Sequence, residues 1–177
     1  ITDISDASRL DAELSRAESA PVEIDRMLAA LVDMHEATQV DADATRLKLN
    51  VAGAGHLKVP GIDSRLVQVF RNLLSNAISF SPPKGLIAMK AFREGRFVTV
   101  TVEDEGPGIP EGKEQAIFDR FYSERPQGEK FGTHSGLGLS ISKQIVEAHR
   151  GTIRAENRLD DEGQVQGARF IVRLPVD

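Results

Sequence analysis

The sequence predicts a mixed α/β domain, and two observations carry that expectation. Apolar residues fall at helical spacing over residues 66–77 and again over about 137–149, and they alternate over 86–92, 97–103 and 168–174. Helix-period and strand-period segments follow one another along 177 residues, a length that gives one full hydrophobic core with room for a short accessory segment.

Taken in order, Ile1, Ile4, Ala7, Leu10, Leu14 and Ala17 recur at three- or four-residue steps between polar residues. They predict an amphipathic helix whose narrow stripe needs a partner helix. The chain opens at Ile1 inside this pattern and without a Met, as a piece of a longer protein would. Ser19-Ala20-Pro21 predicts a break and a restart, because Ser caps helices and Pro is tolerated in a first turn. Ile24, Met27, Leu28, Leu31 and Val32 form the next helical face.

Leu47, Leu49 and Val51 alternate as in a strand, Gly53-Ala54-Gly55 turns into a short second strand, and Pro60-Gly61 ends it. Asp63 or Ser64 is expected to cap the clearest helix, carried by Leu66, Val69, Phe70, Leu73, Leu74 and Ala77. After the turn at residues 81–85, the alternating segments 86–92 and 97–103 predict a hairpin about Glu94-Gly95. Residues 106–135 are rich in Gly, Pro and charge, with one compact apolar island over 117–122; such a segment is a functional lid or disordered. A helix over about 137–149, stopped by Gly151, and a hairpin of 152–157 with 168–174 complete the chain, with residues 160–163 as the exposed tip.

Composition excludes several chemistries. The 22 Lys and Arg against 27 Asp and Glu leave a formal charge of −5, which argues against broad nucleic-acid binding. Zero cysteines exclude disulfides, thiolate metal sites and a cysteine nucleophile. No apolar run approaches the roughly 20 residues that span a bilayer, and no signal-peptide pattern opens the chain.

Three separated pieces point to phosphate chemistry. Asn72 and Asn76 lie one turn apart, joined by Gln68 and Ser79, on the face opposite the leucines. A carboxamide oxygen is a neutral hard ligand for Mg²⁺ already held by a phosphate chain, although such a face alone also reads as an exposed polar surface. Asp104 ends an apolar strand just before Gly106-Pro107-Gly108. There a carboxylate can accept a bond from an exocyclic amine such as that of adenine, although Asp and Gly also end strands in ordinary turns. Ser135-Gly136-Leu137-Gly138-Leu139 runs into a helix whose first N–H groups can receive phosphate oxygens. A dinucleotide fingerprint is excluded by Glu111 in place of a third glycine, by Pro110 and by an acid that precedes the glycines. A P-loop is excluded because no Lys-Ser or Lys-Thr follows. The joint occurrence in fixed order indicates a nucleotide site.

Together these residues resemble the N, G1, F and G2 boxes of the GHKL (Bergerat) ATP-binding fold of sensor histidine kinases. The N box runs from Asp63 through Arg65, Leu66, Gln68, Val69, Asn72, Leu73, Leu74 and Asn76 to Ala77, and G1 from Asp104 through Gly106 and Gly108 to Ile109 and Pro110. The F box is Ile117-Phe118-Asp119-Arg120-Phe121-Tyr122 and G2 is Gly136-Leu137-Gly138-Leu139-Ser140-Ile141. The resemblance covers about residues 21–176, and the segment Gly132-Thr133-His134-Ser135 resembles the ChvG-type kinases of alphaproteobacteria.

The resemblance implies a two-layer α/β sandwich over residues 20–177, with an ATP lid at about 106–135, preceded over 1–19 by the end of a dimerisation helix. It implies ATP and Mg²⁺ as cofactors, with Asn76 holding the metal and Asn72 supporting it and the phosphates. Asp104 would read the adenine amine, Phe80 would pack on the base, and Gly106, Gly108, Ile109 and Tyr122 would shape the pocket. Gly136, Leu137, Gly138 and Leu139 would line the phosphates, with Arg120, Arg125 and Lys130 neutralising their charge, Lys130 as a catalytic residue. Ser79 stands where many relatives carry a basic residue near the γ-phosphate, so Lys130 or a lid arginine is expected to replace it, and Thr133-His134-Ser135 implies a stiffer lid.

The implied reaction is transfer of the γ-phosphate to a histidine upstream of Ile1, for relay to a response-regulator receiver domain. The chain alone is then expected to bind ATP without phosphorylating itself. His35-Glu36 lacks the basic residue and proline of an acceptor motif and is expected to be structural. His149 is expected to serve packing or the helix dipole, and His56 and His134 have no ligand-like spacing. The intact protein is implied to be a homodimer whose upstream segments reach the inner membrane, this part lying in the cytoplasm. Two other readings compete: a water-activating ATPase of the same fold, and a non-catalytic nucleotide-binding module.

Overall fold

A computed structural model describes residues 12, 19–39, 44–53, 55–120, 122 and 138–177. Strand β1 (Ala20–Glu23) leads into helix α1 (Ile24–Thr38), followed by β2 (Arg46–Val51), β3 (Lys58–Gly61) and helix α2 (Asp63–Phe80). Then come β4 (Leu86–Glu94), β5 (Phe97–Glu103), a 3₁₀ turn (Ala116–Phe118), helix α3 (Gly138–Ala148), β6 (Thr152–Leu159) and β7 (Val165–Pro175).

Five strands form one mixed sheet in the order β2-β4-β5-β7-β6. Only β2 and β4 run parallel; β4, β5, β7 and β6 are antiparallel neighbours. Alternation decides the faces. Ile87, Met89 and Ala91, Val98, Val100 and Val102, Phe170, Val172 and Leu174, and Ile153 and Ala155 are all buried, while Lys90, Thr152 and Arg154 between them are exposed. The helices cover the buried face. Leu66, Val69, Phe70, Leu73, Leu74 and Ala77 of α2, Ile145 and Val146 of α3, and Met27, Leu28, Leu31 and Val32 of α1 join the same cluster. The expected two-layer sandwich is therefore present.

The structure corrects several local expectations. Ser19-Ala20-Pro21 does not restart a helix: Ala20–Glu23 is a strand paired antiparallel with Lys58–Gly61, so Pro60 and Gly61 lie inside β3. The Ile24 N–H donates to Leu57 O at 3.0 Å. Counting back from that bonded pair, Pro21 and Pro60 fall opposite one another at a non-bonded position, where a missing N–H costs nothing. The β4–β5 turn is Gly95-Arg96, one residue later than expected, since Glu94 pairs with Phe97. The last hairpin extends to Leu159 and starts again at Val165.

Neither Asp63 nor Ser64 caps α2. Ile62 holds the N-cap position, and its N–H donates to His149 Nε2 at 3.0 Å. The His149 Nδ1 lies 2.8 Å from Ile145 O, so with Nε2 accepting from the start of α2, Nδ1 is the nitrogen that faces its own helix. That bridge, with the ring against Gly61, gives His149 the packing role, one of the two expected of it. His35 Nε2 lies 3.0 Å from Thr45 O, a structural tie between the end of α1 and the approach to β2.

Candidate nucleotide-binding site

The end of β5, the C-terminal half of α2 and the N-terminus of α3 meet at one edge of the sandwich, and each brings one of the three pieces. Asp104 follows β5 and is 2% exposed. Its Oδ1 accepts the Gly106 N–H at 2.9 Å and the Ala168 N–H at 3.1 Å. Burial pushes the carboxyl above its ordinary pKa, opposed in order by the Gly106 bond, the Ala168 bond and the positive charge of Arg158. With Oδ1 held by the backbone, Oδ2 is the oxygen left to accept from a ligand.

The loop beyond Asp104 turns at Gly108, whose φ is +83°. A Cβ there would stand 2.6 Å from Asn157 Oδ1, so glycine is required both for the left-handed conformation and for the close approach. Ile109 is buried in the core, and half-buried Tyr122 and Leu139 pack against it. Phe80, the last residue of α2, is half-buried with its carbonyl against Gly106, so the expected base-stacking residue borders the acid's loop. The 3₁₀ turn buries Ile117 and Phe118, the latter edge-to-face with Phe170 at 6.1 Å. The apolar island of the F box thus ties the loop back to the sheet, while Arg120 is exposed.

Asn72 and Asn76 share the α2 face toward α3 but differ in engagement. The Asn72 Nδ2 donates to Gly138 O at 3.2 Å and to Ser142 Oγ at 3.3 Å, and Ser142 Oγ donates to Gly138 O at 2.7 Å. Asn72 thereby fixes the first turn of α3 against α2 and keeps Oδ1 as its acceptor. Asn76 is half-buried one turn later. Among the described residues no group of three or more His, Cys, Asp or Glu could hold a metal. The donor offered is a single neutral carboxamide, which suits a Mg²⁺ that takes its remaining oxygens from phosphate and water.

The structure thus brings Phe80, Asp104 and Gly106 together at the end of β5 with Gly108 and Ile109 on the same loop, joins Asn72 to Gly138 with Asn76 one turn further along α2, and packs Tyr122 and Leu139 on the core. Phe121, Arg125, Lys130, Gly136 and Leu137 lie outside the described residues, as do His134 and all of 1–19 except Ala12 and Ser19. Sequence reasoning missed the β6–β7 hairpin as a wall of the site. Asn157 accepts the Ile109 N–H through Oδ1 at 2.6 Å and donates through Nδ2 to Ile109 O at 2.9 Å. Arg158 Nη1 donates to the Asp104 carbonyl. The only trace in the sequence was a polar pair, Asn157-Arg158, ending an alternating strand.

The model of the histidine kinase-, DNA gyrase B- and HSP90-like ATPases matches residues 61–177. The sensor protein ChvG of Agrobacterium fabrum (strain C58) is 46% identical over 180 residues, covering 99% of this chain and 30% of that protein. The sensor protein ChvG of Rhizobium meliloti (strain 1021) is 44% identical over 180 residues, covering 99% of this chain and 31% of that protein. The chain therefore spans about a third of the length of these relatives. Among solved structures, the mycobacterial sensor histidine kinase MprB superposes with a TM-score of 0.74 at 27% identity, covering 89% of this chain and 97% of the other.

Proposed function

The chain belongs to the family of histidine kinase-, DNA gyrase B- and HSP90-like ATPases, and we propose that within it this is the catalytic, ATP-binding part of a sensor histidine kinase. The observation that carries the reading is the buried Asp104, bonded through one oxygen to two backbone N–H groups beside a loop that only glycine can make. A carboxylate so held recognises the adenine amine rather than working as a proton-transfer group, and the neighbouring α3 N-terminus receives the phosphates.

In the proposed reaction an imidazole nitrogen attacks the γ-phosphorus, the bond to the β–γ bridging oxygen breaks, and ADP leaves. The imidazole is a sufficient nucleophile, so the domain's contribution is to position ATP and offset charge. Asn76 would hold Mg²⁺, which supplies charge neutralisation on the phosphate oxygens. Asn72 keeps the start of α3 in place for the phosphates, and Lys130 with the lid arginines would face the transferred group. A water-activating ATPase needs a carboxylate one turn before Asn76. That position is Asn72, whose amide is committed to Gly138 and Ser142 and cannot take a proton.

The acceptor histidine, a response-regulator partner, a homodimer in the intact protein and a cytoplasmic location at the inner membrane complete the proposal. They rest on the resemblance of the four sequence boxes to those of sensor histidine kinases. Among the described residues no helix is long and apolar enough to cross a membrane.

Calorimetric titration of the 177-residue chain with MgATP tests the site. Binding is expected, with loss in Asp104→Ala and Asn76→Ala; undiminished binding in both would falsify the assignment. Supplying a histidine-bearing dimerisation segment in trans should then yield acid-labile phosphate. ATP binding with no transfer to that segment would leave a binding module and end the kinase reading.

A further inference from the structure

Two adjacent residues of β6 grip the adenine-reading loop from opposite sides. Successive strand residues point to opposite faces, so Asn157 faces inward with Ile153 and Ala155, while Arg158 faces outward with Arg154 and Glu156. Inward, the Asn157 carboxamide engages both backbone groups of Ile109, as the edge of a further strand would, with bonds of 2.6 and 2.9 Å. Outward, Arg158 donates to the Asp104 carbonyl while its Nε lies 3.5 Å from Glu103 Oε2. Glu103 is in turn held by Arg169 Nε at 2.7 Å, and Arg169 Nη1 reaches Glu156 at 3.3 Å.

The hairpin is shaped for this grip. The β6–β7 register shifts between Arg158 and Leu159, the kind of irregularity that twists a strand and re-aims a side chain. Opposite Arg158 sits buried Gly167 with φ +150°, and a Cβ there would overlap the Asp104 carbonyl oxygen. The next residue, Ala168, gives its N–H to the Asp104 carboxylate. The loop from Asp104 to Ile109 is therefore fixed at both ends by one hairpin, none of whose residues belongs to the four sequence boxes.

We propose that Asn157 and Arg158 are positioning residues for base recognition: they fix the Asp104–Ile109 loop so that the Asp104 carboxylate is pre-aimed at the base, and they thereby set the preference for adenine. This rests on the reading of Asp104 as the base acceptor. Neither side chain touches the nucleotide in the proposal. Their effect is to remove the cost of ordering the loop when the base arrives, so it belongs to base affinity and not to phosphate affinity.

Separate calorimetric titrations of the whole chain with MgATP and with MgGTP test the proposal, using Asn157→Asp, Arg158→Lys and Asp104→Ala. Asn157→Asp keeps the acceptor for Ile109 N–H but puts a carboxylate oxygen against Ile109 O; Arg158→Lys keeps the charge but loses the fork that spans Glu103 and Asp104. Each is expected to weaken MgATP about 10-fold and leave MgGTP nearly unchanged, the scale of one or two hydrogen bonds. Asp104→Ala should lower MgATP binding to the level of MgGTP and so abolish the preference. If it does not, the base-acceptor reading fails and takes the proposal with it. If Asp104→Ala abolishes the preference while the other two keep the wild-type ratio, the positioning role alone is overturned. Equal weakening of both nucleotides, or failure of both conservative variants to fold, would show a merely structural pair and also overturn it.

Discussion

Burial raises the Asp104 pKa because the ionised form is poorly solvated among Phe80, Gly106 and the β6–β7 hairpin, and the backbone bonds from Gly106 and Ala168 together with the charge of Arg158 only partly offset that. The sign of the consequence differs for folding and for binding. A group whose folded pKa lies above its unfolded value contributes stability that is fully present below the unfolded pKa and is lost as pH rises through the folded pKa, so the ionised Asp104 weakens the fold. In the proposed reading the adenine amine meets that ionised form, so MgATP affinity should fall as pH is lowered through the raised value. Asp104→Asn separates the two demands: the amide oxygen can still accept from Gly106 and Ala168, but the buried charge is gone and an NH₂ group faces the base amine. The expected outcome is a thermal midpoint at neutral pH no lower than wild type, with MgATP affinity reduced roughly 10- to 100-fold, the range of a hydrogen bond to a charged group. Calorimetry against pH and a melting curve read the two effects, and a variant that melts earlier yet binds normally contradicts the account.

At the scale of elements, the end of α3 shows a local choice overruled by closure. The Gly151 N–H donates to Val146 O at 2.9 Å and the Arg150 N–H to Glu147 O at 2.9 Å, the paired bonds that end a helix through a left-handed residue. That residue is Arg150, with φ +61°, where a non-glycine residue costs about 1–2 kcal/mol. Arg150→Gly is therefore expected to stabilise the chain by about 1 kcal/mol and raise the melting midpoint by about 2–4 °C. An unchanged or lower midpoint would mean that the Arg150 contact with the Asp177 carbonyl at 3.3 Å offsets the strain. His149, beside it, ties α3 to the start of α2, and the Asn72 bonds to Gly138 tie the other end. The helix proposed to receive the phosphates at its N-terminus is thus anchored at both ends by side chains from outside its own apolar stripe.

For the molecule as a whole, a ligand that binds only the folded state raises stability by mass action. MgATP at about 100 times its Kd should add about 2.7 kcal/mol and raise the melting midpoint by roughly 5–10 °C, and Asp104→Ala should remove the shift. A shift that survives in Asp104→Ala would place the nucleotide elsewhere. Helices α1, α2 and α3, strands β2, β4 and β5, the β6–β7 hairpin and the order of the boxes were legible along the chain, because three- or four-residue and two-residue periodicities are local and one set of glycines and polar residues recurs in fixed spacing. It took the folded chain to place Pro21 in a strand against Pro60, to run β2 parallel to β4, and to set Asn157, Arg158 and Gly167 against the loop of Asp104. Those partners are roughly 40 to 60 residues apart along the chain; neither residue's own preference names the other, and their pairing is fixed by chain closure and by the need to bond every buried polar group.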